Sequence, residues 1–211
     1  AFLTVTLGLP ALGMGAIDGI AEGPANIAKL VSGRLSDKHH KRKPLIVLGY
    51  GLAAFSKPLF PLAQGALPVL GARFIDRIGK GIRGAPRDAM IADETPADQR
   101  GAAYGLRQAL DTVGGTLAPL LAIGLMLLLA NDIRLVFWIA AIPAFVSFLF
   151  AWAMLKEPGR HLAPGGTQAA WGGWRSLDVQ VRRLIGIGFL FGLARFSEGF
   201  LILKALDAGL A

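Results

Sequence analysis

The chain has 211 residues, of which 54% are hydrophobic and only 17% charged, with 28 Gly and 12 Pro; a mean hydropathy of +0.53 is too apolar for an ordinary water-soluble domain and makes lipid the main solvent. The formal charge of +8 would point to nucleic acid if Lys and Arg formed an exposed surface, so their placement between the apolar runs decides what it means. With no Cys and three His, disulfide scaffolds, thiolate metal sites and thiol nucleophiles are excluded, and no metal or other cofactor is expected.

The chain opens at "AFLTVTLGLP", apolar from the first residue, without Met, charged leader or cleavage pattern, and closes at "LDAGLA" just after another apolar run. This reads as a piece of a longer polytopic protein. A membrane-spanning helix needs about 20 largely apolar residues. Residues 1–8 are the tail of a first such helix, cut by the turn from Gly8 to Pro10. The second run covers 11–35, the third 44–63, and the fourth, heavily charged, 67–92. A fifth reaches residue 130, with Thr95 as N-cap, Pro96 at the first helical position and Asp98 near the third. The sixth spans 133–155, the Gly- and Pro-rich stretch 156–182 reads as a linker, and a seventh run covers 184–206. The expected fold is an all-α polytopic membrane bundle. Residues 1–155 form an N-terminal bundle, 156–182 an interdomain linker, and 183–211 the helix that starts a second bundle.

Orientation follows from the basic loops. The turn after the second run carries Lys38, Lys41, Arg42 and Lys43, and the linker carries Lys156, Arg160, Arg175, Arg182 and Arg183. The alternate turns at 64–68 and 130–134 hold only Arg134 between them. Segments 36–43, 93–100 and 156–182 are therefore placed on the cytoplasmic side of a cell membrane, with a bacterial inner membrane as the expected one. Much of the positive charge is a topology signal, and no basic region interleaved with stacking aromatics stands outside the membrane runs, so nucleic acid is not an expected partner. Trp138 and Trp152 in the sixth run and Trp171 and Trp174 in the linker suit membrane interfaces.

The fourth run holds Arg73, Arg77, Lys80, Arg83 and Arg87 with Asp76 and Asp88. At about 100° per residue they fall within a fan of roughly 140°, which makes a stripe. From Arg73 to Arg87 the helix rises about 21 Å, too much of a core of about 30 Å for snorkelling to rescue more than the ends. Exposed to lipid, five cations would cost on the order of 12–17 kcal/mol. The stripe must face a watery cavity or acidic partners. The second run offers Asp18, Glu22, Asn26 and Lys29 on one face, and the fifth adds Arg107 and Asp111, four apart. Two readings stand side by side: a polar pathway for a small-molecule substrate and protons, or structural ion pairs that lock helices together.

The turn "GRLSDKHHKRK" resembles the signature between the second and third helices of the major facilitator superfamily, roughly G-x-L-[AS]-D-R-x-G-R-[RK]-[RK]. Gly33, Leu35, Ser36, Asp37, Lys41, Arg42 and Lys43 fit, Lys38 stands for Arg, and His40 stands for the second Gly. Arg73 with "RFIDRIGKG" resembles the family's fourth-helix motif, "IADETPADQRGAAYG" its next turn, and "GGTLAPLLA" a degraded fifth-helix antiporter motif with Ala118 before Pro119. The resemblance implies a six-helix half built of inverted three-helix repeats, working by alternating access against a C-terminal half of the same chain. It also implies a gate in which Asp37 and Lys41 latch to an acid at the end of the fourth helix, here Asp93, within a motif that includes Gly33, Lys38 and Arg42.

Gly114, Gly115 and Pro119 on the fifth run, and Gly79, Gly81, Gly84 and Pro86 on the fourth, suit bending or close packing. Lys57 before Pro58 faces the cavity or snorkels, and Arg195, Ser197 and Glu198 lie deep in the seventh run. There is no GxxxxGK[ST] loop, no strand leading into GxGxxG, no HExxH and no Gly-x-Ser-x-Gly elbow, so an enzyme is not expected. The adjacent His39 and His40 sit in a basic loop and make no metal site. The two remaining functions are a secondary transporter, and a polytopic receptor or assembly subunit whose charged helices are structural.

Overall fold

The computed structural model describes residues 11–130, 132–157 and 178–193, with the side chains of 11–21, 66 and 189–193 outside that description. Residues 1–8, the bulk of the linker with Trp171 and Trp174, the Asp18 side chain, and Arg195, Ser197 and Glu198 all fall outside the described residues. What is described is helical, with no strand: α1 (Ala11–His39), α2 (Lys43–Ser56), α3 (Leu59–Leu62), α4 (Ala66–Glu94), α5 (Arg100–Leu128), α6 (Ile133–Met154) and α7 (Val179–Leu193).

The second and fourth runs become α1 and α4, each a few residues longer than its apolar stretch. The third run is divided. Pro58 has no N–H and cannot continue the α-helical ladder, so the chain tightens there, with Lys57 N–H donating to the Ala54 carbonyl and Phe60 N–H to the Lys57 carbonyl, both at 3.2 Å. The short α3 completes the crossing. The expected start of the fifth helix needs correction. Thr95 is the extended C-cap of α4 and Gln99 is the N-cap of α5. Pro96 keeps its predecessor out of the helical region, and residues 96–99 close a turn through Gln99 N–H to the Pro96 carbonyl at 3.0 Å. At α6 the cap is Asp132, whose carboxylate accepts from the backbone N–H groups of Arg134 and Leu135 at 2.9 and 3.2 Å. α7 begins at Val179, so the last residues assigned to the linker are already helical.

α4 is the hub, with α1 along one side, α2 along another, and α6 on α2. Small residues make this possible. The buried residues include Ala25, Ala53, Ala54, Ala72, Ala141 and Ala151, with Ser32, Ser36 and Ser56, as expected where lipid offers no hydrophobic drive and packing depends on close backbone approach. A Cβ on Gly49 would stand 2.6 Å from the Gly79 carbonyl oxygen, and one on Gly81 would stand 3.0 Å from the Ala25 carbonyl carbon. α2 meets α6 through rings: Phe55 is edge-on to Phe145 at 5.3 Å between centroids, and Phe60 of α3 stacks on Phe137 at 5.6 Å.

Three helical segments are long and apolar enough to cross a membrane: Lys43–Leu62, Arg100–Leu128 and Ile133–Met154. α1 and α4, which carry most of the ionisable groups, are not among them. Part of their charge is met by neighbours instead. α5 buries none of its residues, and exposed Leu106, Leu110, Leu127 and Leu128 along it need lipid or protein to cover them.

Two residues other than Gly take left-handed backbone, His40 at φ 52° and Ala130 at φ 49°. Both follow helix ends, where Gly is the usual choice. A Cβ costs about 1 kcal/mol in that conformation, so His40→Gly and Ala130→Gly should each raise stability by about 0.5–1 kcal/mol. Melting temperatures in detergent that stay level or fall in both variants would refute this.

Candidate functional site

The ionisable stripe of α4 does not line one surface; it is shared among three neighbours. Toward α1, the Arg77 guanidinium meets Glu22 at 2.8 Å. Toward α2, Lys57 meets Asp76 at 3.0 Å, while Arg83 lies over the Tyr50 ring at 4.6 Å and donates to the Gly49 carbonyl at 3.3 Å. Toward α5, Arg87 and Arg107 converge on Asp88 and Asp111. Arg107 bonds Asp111 at 2.9 Å, and looser pairs at 3.5–3.7 Å join Arg107 to Asp88 and Arg87 to both carboxylates. Tyr104 closes this corner by donating to the Asp88 backbone carbonyl at 2.9 Å.

The physical reason is geometric. A fan of roughly 140° on a helix held between two others reaches both of them. Asp76 and Arg83 therefore turn to α2, away from Glu22, and the set read as one lining divides into pairs. Arg73 is half-buried beside them. Lys80 and Asn26 are exposed, and the Lys29 stem crosses α4 at Gly84, its carbons 3.7–3.9 Å from where a Cβ would sit. Lys57, open in the sequence between cavity and interface, is held by Asp76 and lies 5.9 Å from the Phe60 ring.

The second cluster lies where α1, α2 and α4 end together. Asp37 is in the last turn of α1 and Asp93 at the end of α4. Arg42 joins them: it pairs with Asp37, bonds Asp93 at 3.0 Å, and donates to the Ser36 hydroxyl at 2.8 Å. Burial opposes its charge, but the hydrogen bonds to Asp37 and Asp93 and their fields outweigh that and hold the guanidinium above its ordinary pKa. Lys41 and Lys38 are exposed and make no ion pair among the described residues. The bridging position is Arg42, one residue beyond the expected Lys41, because the left-handed His40 turns the chain so that residue 42 points back at the helix ends. Gly33 lies one layer deeper, a Cβ there falling 3.2 Å from that of Ala85. An open groove of about 490 Å³ runs beside it, from Asn26 to Asp37 of α1 and on to Ala85.

Sequence reading missed Glu157. Its carboxylate accepts from the backbone N–H of Arg42, and from that of Lys43 at 3.2 Å, so the residue just after α6 caps the N-terminus of α2. The only signal was a lone acid at the start of a basic linker. Gly114 and Gly115 have nothing within 4 Å of a would-be Cβ. The close approaches belong to Gly49, Gly79 and Gly81. Around Pro119, α5 instead carries Thr112 and Thr116, which donate back to the carbonyls of Gln108 and Thr112 at 2.9 and 3.0 Å.

Over residues 1–210 the chain matches the family model of the Major Facilitator Superfamily. It belongs to that superfamily. An uncharacterized MFS-type transporter of Methanocaldococcus jannaschii is 31% identical over 206 residues, covering 97% of this chain and 50% of that relative. Uncharacterized proteins of Mycobacterium bovis and Mycobacterium tuberculosis are each 30% identical over 158 residues, covering 74% of this chain and 38% of theirs. The chain thus spans about half or less of the length of the curated relatives it matches. Superfamily membership and the apolar helices make it a multi-pass membrane protein, and the position of His40, where the superfamily's loop pattern has Gly, is the one whose backbone is left-handed.

Proposed function

We propose that this chain forms the first six-helix half, with the linker and seventh helix, of a secondary transporter. It moves a small solute by alternating access against a C-terminal half, with the loops at 36–43, 93–100 and 156–182 facing the cytoplasm of a bacterial inner membrane. The observation that carries this reading is the pairing of ionisable side chains between separate helices inside the bundle: Glu22 with Arg77, and Asp88 and Asp111 with Arg87 and Arg107. Ionisable groups at membrane depth are costly and are functional candidates by default, and pairs that join helices break and re-form when helices rock. The Arg42, Asp37 and Asp93 contact supports a cytoplasmic latch. The structural reading is favoured at Lys57–Asp76 and at Arg83 over Tyr50, both turned to α2, and these are taken off the pathway.

Coupling to protons is part of the proposal, since Glu22 and Asp111 each lie against a cation whose hold depends on the carboxylate charge. Uptake by the intact protein in proteoliposomes should depend on a pH gradient, and Glu22→Gln should transport without that dependence. Equal uptake by the unmodified protein with the gradient collapsed would defeat the coupling.

A further inference from the structure

Among the described residues, every carboxylate set within the bundle already has a cation: Glu22 has Arg77, Asp76 has Lys57, and Asp88 and Asp111 share Arg87 and Arg107. Lys80 and Lys29 have no ion pair among these residues, and both are exposed. Their placement matters more than their number. Lys80 is the central residue of the 29-residue α4, about 21 Å from either end, which puts it near the bilayer midplane. Lys29 reaches α4 at Gly84, one turn or about 6 Å further along the same helix. At about 100° per residue Lys80 and Gly84 lie about 40° apart on α4, so Lys80 leaves α4 on the side where Lys29 of α1 reaches it, about one turn away. An uncompensated cation there costs about 2.5–3.5 kcal/mol, and a lysine of about 6 Å reach cannot snorkel roughly 15 Å to a lipid headgroup.

We propose that Lys80, assisted by Lys29, binds the anionic group, a carboxylate or phosphate, of the transported solute. This rests on the transport reading above and names its substrate class. The ammonium donates up to three charge-assisted hydrogen bonds to such an oxyanion. Arg77, one turn away on the same face, adds positive potential while Glu22 keeps it from competing as the primary ligand. An amide of the same shape lacks the charge, and an amine is repelled.

The test uses the intact protein in phosphatidylcholine proteoliposomes, with inorganic phosphate, benzoate and succinate set against benzamide, succinamide and benzylamine. Uptake should be saturable for an anionic member and at least about tenfold slower for its amide, a difference of about 1.4 kcal/mol. Lys80→Met should lower that uptake about tenfold or more, Lys80→Arg should retain most of it, and Lys29→Met should raise KM several-fold with little change in kcat. In parallel, the anions but not the amides should raise the melting temperature in detergent, and Lys80→Met should abolish that rise. Amides or amines carried as well as acids would overturn the anion assignment and leave the transport reading standing. So would the absence of any anion-specific stabilisation. Failure of the protein to carry any solute in a wider screen would overturn both.

Discussion

Gly81→Val should be the most damaging single substitution in the chain. Gly81 of α4 presses directly on the backbone of α1: its added Cβ would overlap the Ala25 carbonyl oxygen and stand 3.0 and 3.2 Å from the carbonyl carbon and Cα. A flexible side chain could yield, but a helical backbone cannot, so α1 and α4 would have to separate. That would open the seam held by Ser32, whose hydroxyl donates to the Lys29 carbonyl at 3.1 Å and lies 3.4 Å from that of Gly81. It would also pull Glu22 from Arg77. Overpacking in a closely packed core costs typically 1–3 kcal/mol, and backbone against backbone belongs at or above the top of that range. Gly101→Ala, at a glycine of α5 with open space around it, should instead be neutral or stabilise by a few tenths of a kcal/mol through helix propensity. Size-exclusion profiles and melting temperatures in detergent test both. A Gly81→Val protein that stays monodisperse and melts within about two degrees of the parent would show that the α1–α4 seam is not closely packed.

The second large effect is expected at Arg42. Its side chain is only 12% exposed while Asp37 and Asp93 are 68% and 40% exposed, so removing it strands two partly hydrated carboxylates near each other and leaves the Ser36 hydroxyl without its donor. Solvent screening at the acids holds the loss to about 1–2 kcal/mol. That suffices to shift the proposed two-state equilibrium between closed and open forms of this end of the bundle by about tenfold. Because these 211 residues hold no Cys, one cysteine introduced at Ala92 near the end of α4 would report accessibility with no background from this part of the protein. Arg42→Ala should raise its labelling rate about tenfold, Arg42→Lys should raise it less because a single ammonium cannot serve two carboxylates in a fork, and Lys41→Ala should leave it unchanged. A larger effect from Lys41→Ala than from Arg42→Ala would return the latch to the position expected from the motif alone.

Much of the fold was legible because its signals are local. Run length and hydropathy located the helices between residues 11 and 155, and the 3.6-residue period gathered the ionisable groups of the fourth helix into one fan. The errors came where local rules competed. Pro96 reads as a first helical residue, but its effect on Thr95 ended α4 first and spent residues 96–99 on a turn. Pro58 after Lys57 did carry a signal that the third crossing would divide there, since it cannot continue the α-helical ladder, but the length of the run outweighed it. In the candidate site, the residue types were visible and their partners were not. Asp76 and Glu22 lie on comparable stripes, yet one meets Lys57 just after α2 and the other Arg77 of α4.

Sequence alone determined that this chain is a multi-span helical membrane protein whose helical ionisable groups are concentrated on α1, α4 and the N-terminal half of α5, because length, periodicity and solvation cost are properties of each segment. Which cation meets which carboxylate was decided only by tertiary structure. The Arg42 guanidinium finds Asp93 across 51 positions, and its backbone N–H finds Glu157 across 115; no periodicity spans such distances. The same holds for the two lysines left over. That they have no ion pair among the described residues follows from how α4 is held between α1 and α2, which turns Asp76 toward Lys57 and leaves Lys80 exposed.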